Sequence, residues 1–302
     1  PLGEDWQAAL RDVRAVIADA LDQPPTQDEI DRAVAEMDVA YQVPVEQRTL
    51  LPGARLADDL VQAVNIRETV AAPEAVLRIF RESVPLFTPE RVLEHTRKLF
   101  SGTVTRAIYI TPRQGEADAA SLKLAMQTAV APDPSARLLT APISFADMPP
   151  VGTPGTVAAI KSTGLPGIDQ VEFANGVKAL LYPTRDEPGR VAVKVRFGGG
   201  YRAFTPQDAP YAMLGDMALV GSGVATLGEA ELERISTGRK LGFNFSIDDA
   251  VFQFSADTRQ ADLADQLYLF AAKLAMPRWD ANPVLRAQAA ARIQYDAFAM
   301  SP

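Results

Sequence analysis

The chain has no cysteine among its 302 residues. Disulfides, thiolate zinc sites and thiol catalysis are therefore excluded within it. It has one histidine, so no centre that needs two or three imidazoles can form. No apolar run approaches the about 18 residues of a membrane-spanning helix. Positive charge is also short: 30 Lys and Arg against 38 Asp and Glu leave a net charge of -8. That balance argues against a nucleic-acid partner or an anionic membrane surface. No P-loop and no G-x-G-x-x-G occurs. Pro1-Leu2-Gly3 offers neither an initiator Met nor a signal peptide, and the chain is expected to be an internal part of a longer one.

What is present is ordinary for a globular protein: 47% hydrophobic and 23% charged residues. At roughly 150 residues per domain the length suggests two domains. A chain this long buries enough apolar surface to fold without a metal or disulfide staple.

The first third reads as helices. Trp6, Leu10, Val13, Ile17 and Leu21 share one helical face. Thr26 stands three residues before Glu29, a capping-box start, and Ile30, Val34, Met37 and Tyr41 follow as a stripe. Pro44 and Pro52-Gly53 punctuate. Leu56, Leu60 and Val64 suggest a third helix, and Val76, Leu77 and Phe80 a fourth. Thr88-Pro89-Glu90 opens a fifth, which ends at Ser101-Gly102. Thr103 to Thr111 reads as a strand, with Ile108 and Ile110 alternating with Tyr109.

Seven prolines fall between residues 132 and 166, a density that excludes regular helix and a central strand. The expected division is a helix-rich domain over 1–131, an inter-lobe linker over 132–167, and a second domain over 168–302. In the second, Asn175-Gly176 marks a hairpin. Val191, Val193, Val195 and Phe197 alternate with polar residues in a strand that ends at Gly198-Gly199-Gly200. There the backbone must turn sharply or approach something closely. A helix over 206–219 follows, then Thr226 and Glu229 as a second capping box. Phe243, Phe245 and Ile247 lead through Asp248-Asp249 to a return strand with Phe252 and Phe254. Leu263, Leu267, Phe270 and Leu274 form a helical stripe, and Asn282-Pro283 starts the last helix. This order predicts an α+β fold, a two-layer sandwich with helices on one sheet face.

Candidate chemistry is sparse. His95 falls on the polar side of a helix and has no partner for a triad, so it reads as a solvated residue. Asp58-Asp59 and Asp248-Asp249 are adjacent pairs whose side chains point apart, better read as a solvated face and a turn. Gly221-Ser222-Gly223 resembles half a nucleophile elbow but follows a helix, not a strand.

Phe173-Ala174-Asn175-Gly176-Val177-Lys178-Ala179-Leu180-Leu181 resembles the opening strand pair of the pitrilysin/insulinase (M16) peptidase family. Val191 to Gly200 is similar to the next strand of that family, and Ala209 to Val220 followed by Gly221-Ser222 sits where the family carries H-x-x-E-H-M. Thr226 to Ile235 and Phe243 to Phe254 continue the order. More weakly, the first 130 residues are similar to the end of a preceding M16 domain. The resemblance implies sandwich lobes of the M16 type.

The same resemblance implies what is missing. Anchored on Met217 and Gly221, the two family histidines and the glutamate fall on Ala212, Gly215 and Asp216. The family's third ligand is a later glutamate, and none occurs from Arg234 to Pro302. Methyl, hydrogen and one carboxylate cannot hold zinc. No catalytic or metal residue is expected here, and no cofactor. Zinc, with a glutamate activating its water for attack on a peptide carbonyl, is implied for another domain of the parent.

The resemblance further implies partners: the remaining M16 domains and a peptide substrate, gripped by a non-catalytic chamber wall and hinge. The alternative is an assembly module without proteolysis. An unrelated α+β enzyme using carboxylates is a third reading. Interrupted lobes would leave open strand edges and self-associate. An exported or periplasmic location is favoured over a cytoplasmic one by the resemblance.

Overall fold

A computed structural model of the chain describes residues 5–110, 117–134, 137 and 143–299. Pro1-Leu2-Gly3, Thr111 and Pro142 lie outside them. The chain divides into two compact units, residues 1–35 with 80–142 and residues 36–79 with 143–302. The mixture of helices and antiparallel sheets makes the fold α+β.

The first unit is built on helices α1 (Trp6–Asp22), the start of α2 (Gln27–Glu46), α5 (Pro89–Leu99) and α6 (Ala119–Gln127). Between them in sequence lie α3 (Gly53–Asn65) and α4 (Pro73–Ser83). The Thr26–Glu29 capping box forms: the Thr26 N–H donates to Glu29 Oε2 at 2.7 Å and the Glu29 N–H to Thr26 Oγ1 at 3.2 Å. Thr88 caps α5. Three arginines tie helix ends together. Arg14 donates to the carbonyls of Ala125 and Thr128 at the end of α6. Arg97 donates to Leu21 and Asp22 at the end of α1. Arg137 reaches the carbonyls of Pro24 and Gln23 and pairs with the buried Asp19 carboxylate. Cations at carboxyl-terminal turns satisfy carbonyls that the helix itself leaves open.

Two expectations fail here. Residues 103–110 form no strand. Tyr109 stacks on Trp6, with ring centroids 5.5 Å apart, while Ile108 and Ile110 stand 88% and 89% exposed. Alternation makes a strand only when an edge pairs with it, and none does so among the described residues. Helix α2 also runs on through Pro44 to Glu46. Pro44 sits in the last turn, where one lost bond ends nothing.

Among its described residues the second unit holds six strands. β1 (Val157–Ser162), β2 (Asp169–Phe173) and β3 (Lys178–Leu181) make one antiparallel sheet in that order. β1 lies inside the stretch expected to be linker; it occupies the proline-free run between Pro154 and Pro166, at a sheet edge. The hairpin is the one that Asn175-Gly176 predicts, with Gly176 at φ +86° and Phe173 donating to Val177 at 2.9 Å. β4 (Val191–Phe197), β5 (Asn244–Ile247) and β6 (Phe252–Thr258) form a second sheet in the order β4-β6-β5.

Helices α7 (Ala209–Val220), α8 (Glu229–Ile235), α9 (Leu263–Ala275) and α10 (Ala281–Ala299) complete the unit. α7 packs on β5 and on α10, and α9 packs on β6. Phe254 is the hub of the core, ringed by Phe197, Phe243, Phe245 and Phe270 at centroid distances of 4.7–5.7 Å. The pairs with Phe197, Phe243 and Phe245 are edge-to-face, a geometry that adds to the gain from burial alone.

Candidate functional site

Gly198-Gly199-Gly200 fixes how β4 delivers the chain to α7. Gly198 and Gly200 have φ of +65° and +57°. A Cβ on Gly200 would lie 2.0 Å from the Asp248 carbonyl oxygen. The close approach lets Tyr201 and Arg202 donate to Asp248 and Asp249, so this acidic pair is the β5–β6 turn. The chain then enters α7 beside the aromatic face of the sheet.

Residues 208, 211, 212, 215, 216 and 219 fall at positions i, i+3, i+4, i+7, i+8 and i+11, and so share one face of α7 and its N-cap. All six line a cavity of about 670 Å³ between the helix and the sheet. The hollow exists because the middle of this face is Ala212 and Gly215, whose side chains stop short; a Cβ on Gly215 would be 4.0 Å from the Trp279 ring. Phe197, Phe245, Phe252 and Phe254 supply the sheet wall. Tyr211 and Trp279 stand at the rim, 76% and 58% exposed.

Asp216 is the acid in the middle of this face. It is half-buried, and no hydrogen bond or ion pair reaches it among the described residues. Burial alone pushes its carboxyl above the usual carboxylate range. Asp208, at the other end of the same face, is engaged: its Oδ2 accepts from the Thr205 hydroxyl at 2.6 Å. Lys273 also lines the cavity but does not answer Asp216. Its buried ammonium donates to the carbonyls of Leu219 (2.8 Å) and Ser222, closing the carboxyl end of α7, and lies 4.7 Å from the Phe243 ring centroid. Burial pulls its pKa down to about 8, against the opposing charges of Asp280 and Glu229.

The three positions singled out on α7, Ala212, Gly215 and Asp216, thus come together in one cavity. One carboxylate does not fit a zinc ion, which takes three protein donors in its catalytic sites. Among the described residues no group of three or more His, Asp or Glu is placed to hold a metal. His95 is exposed on α5 in the other unit, and Asp58 and Asp59 are exposed on α3. Ser222 is buried, its hydroxyl donating to the Ala218 carbonyl at 2.7 Å. A Cβ on Gly223 would meet the Leu227 carbonyl oxygen at 1.8 Å, so the Gly-Ser-Gly run is a tight helix exit. Sequence reasoning missed Trp279, Tyr211 and Lys273. The phenylalanines of β4–β6 were legible as strand residues, but the helix face that fails to cover them was not.

No protein-family model and no curated protein matches the chain. Among the solved structures similar to it are two proteases. A mutant of the ferredoxin protease FusC, in complex with Arabidopsis ferredoxin, is 18% identical with a TM-score of 0.43; the match covers 95% of this chain and 32% of that one. The periplasmic protease PqqL from Escherichia coli is 14% identical with a TM-score of 0.46, covering 92% of this chain and 31% of that one. The chain spans about a third of the length of either. With TM-scores below 0.5, what the chain does is read from its own residues. No helix among the described residues is long and apolar enough to cross a membrane.

Proposed function

We propose that the chain is a non-catalytic part of an M16-type zinc peptidase, forming chamber wall and hinge and gripping peptide, with hydrolysis carried out by another domain of the parent. The observation that carries this reading is the face of α7. In the motif register suggested by Met217 and Gly221, the positions of two ligands and a base hold Ala212, Gly215 and Asp216, and all three line one aromatic cavity. Such a surface suits side chains, and its single carboxylate is too few ligands for a zinc ion that would activate water. A purely structural, M16-like assembly module without protease activity is the second reading. The exposed apolar stripe of α3 favours it, with Leu56 and Leu60 each 49% exposed and Val64 64%.

Hydrolysis and binding of unfolded, labelled casein, measured with added zinc and with a chelator, separate these readings. The expected result is binding without cleavage in both conditions. Cleavage by the purified chain, whether zinc-dependent or chelator-insensitive, overturns the non-catalytic reading. Absence of binding overturns the grip and leaves the assembly module.

A further inference from the structure

A carboxylate half-buried among aromatic rings, with no donor to it, is a costly arrangement for the folded chain alone. Asp216 is in that position. Its natural counter-charge within the cavity, Lys273, is turned away onto the carbonyls of Leu219 and Ser222. The second acid of the face, Asp208, adds negative charge at the far end. The walls are Phe197, Phe245, Phe252 and Trp279, with Tyr211 at the rim. Ring faces attract cations, and a guanidinium both stacks on rings and pairs with a carboxylate. An anion would meet Asp216, and a neutral apolar group would leave it unpaired. A lone carboxylate is too few donors for a bare metal ion.

We propose that this cavity takes an arginine side chain of a bound peptide, its guanidinium on Asp216 and a neighbouring apolar residue against Tyr211 and Trp279. The volume of about 670 Å³ suits two such side chains rather than one. The exposed rim rings give the flanking residue its surface. This inference deepens the peptide-gripping reading and rests on it: it names the residue that the wall selects.

The test is calorimetric titration of the chain with acetyl-Gly-Phe-Arg-Phe-Gly-amide and with the same peptide carrying citrulline, which is isosteric and neutral. The arginine peptide is expected to bind at least about tenfold more tightly, roughly 1.4 kcal/mol. Asp216→Asn should erase that ratio while leaving the citrulline peptide unchanged. Asp216→Glu should keep the ratio, as should Asp58→Asn on exposed α3, which removes the same net charge elsewhere. Equal binding of the two peptides to the unaltered chain overturns the arginine contact and leaves the grip standing. An arginine preference that survives Asp216→Asn also overturns the contact. Binding of neither peptide overturns both. Asp216→Asn removes a poorly solvated charge, so a melting temperature at or above that of the unaltered chain shows that the variant is folded.

Discussion

A methyl group at Gly200 has nowhere to go: the Asp248 carbonyl oxygen and the Val251 and Ala250 amides lie 2.0, 2.4 and 2.8 Å from where it would stand. Those atoms are backbone, so no rotamer relieves the clash, and the positive φ adds strain. Gly200→Ala is expected to destabilise the second unit by about 3 kcal/mol, the scale of core overpacking plus backbone strain, read as a lower urea midpoint. Gly198 is less demanding, because the atom its Cβ would meet first belongs to the Phe252 ring. Lys273 makes a prediction of opposite character. Its folded pKa, about 8, lies below its ordinary 10.5. Between those values the unfolded chain holds a proton that the folded chain has released, so stability rises with pH across that window. The neutral amine keeps two N–H groups for Leu219 and Ser222, so deprotonation removes the desolvated charge without breaking the helix closure. Unfolding free energies from urea titrations taken from pH 8 to 10.5 should rise by on the order of 3 kcal/mol in the unaltered chain relative to Lys273→Met. A flat difference between the two would sink the assignment.

At the scale of elements, the legible features are those set by local chemistry. Thr26 and Glu29 cap α2, Thr88 and Pro89 open α5, and Asn175-Gly176 turns the hairpin, each because the bond is made within four residues. The misreadings differ in cause. Thr226 with Glu229 has the capping-box spacing, yet α8 starts two residues later: the Gly228 N–H donates to Glu231 at 2.9 Å, and Glu229 instead pairs with Arg286 at 2.7 Å. The cap that forms is again local, two residues beyond the one the spacing suggests. On α9 the apolar stripe predicts Leu263, Leu267, Phe270 and Leu274 as the buried face. The buried residues are Gln266, Leu269, Phe270, Ala272 and Lys273, and Leu267 and Leu274 are each 46% exposed. Gln266 is buried because its amide pairs both ways with the Gly242 backbone, at 2.9 and 2.8 Å, and Lys273 because it closes α7. Polar side chains with distant backbone partners look like surface in a periodicity. The strand edges make a prediction at this scale. β1 and β3 flank their sheet, with Val157 and Ile160 on one edge strand and Leu181 on the other 55%, 68% and 51% exposed. Open apolar edges invite pairing with a second copy. Sedimentation velocity is expected to show dimers or larger species that Ile160→Lys on β1 disperses; monomer at every concentration would remove the idea.

At the scale of the whole molecule, composition alone excluded disulfides, thiol chemistry and any multi-histidine centre, since no fold can supply residues the chain does not have. Periodicity and turn residues determined the α+β class and the run of elements from β2 to α10, because those depend on contacts a few residues long. Which residues belong to which compact unit was a tertiary decision: residues 36–79 join the second unit although more than sixty residues separate them from its sheets in sequence. The cavity was decided in the same way. The sequence placed Ala212, Gly215 and Asp216 on one helix and showed what they lack. Only packing set that helix over four phenylalanines and turned Lys273 toward carbonyls, leaving Asp216 with no counter-charge, because a cavity is the volume that several distant elements together fail to fill.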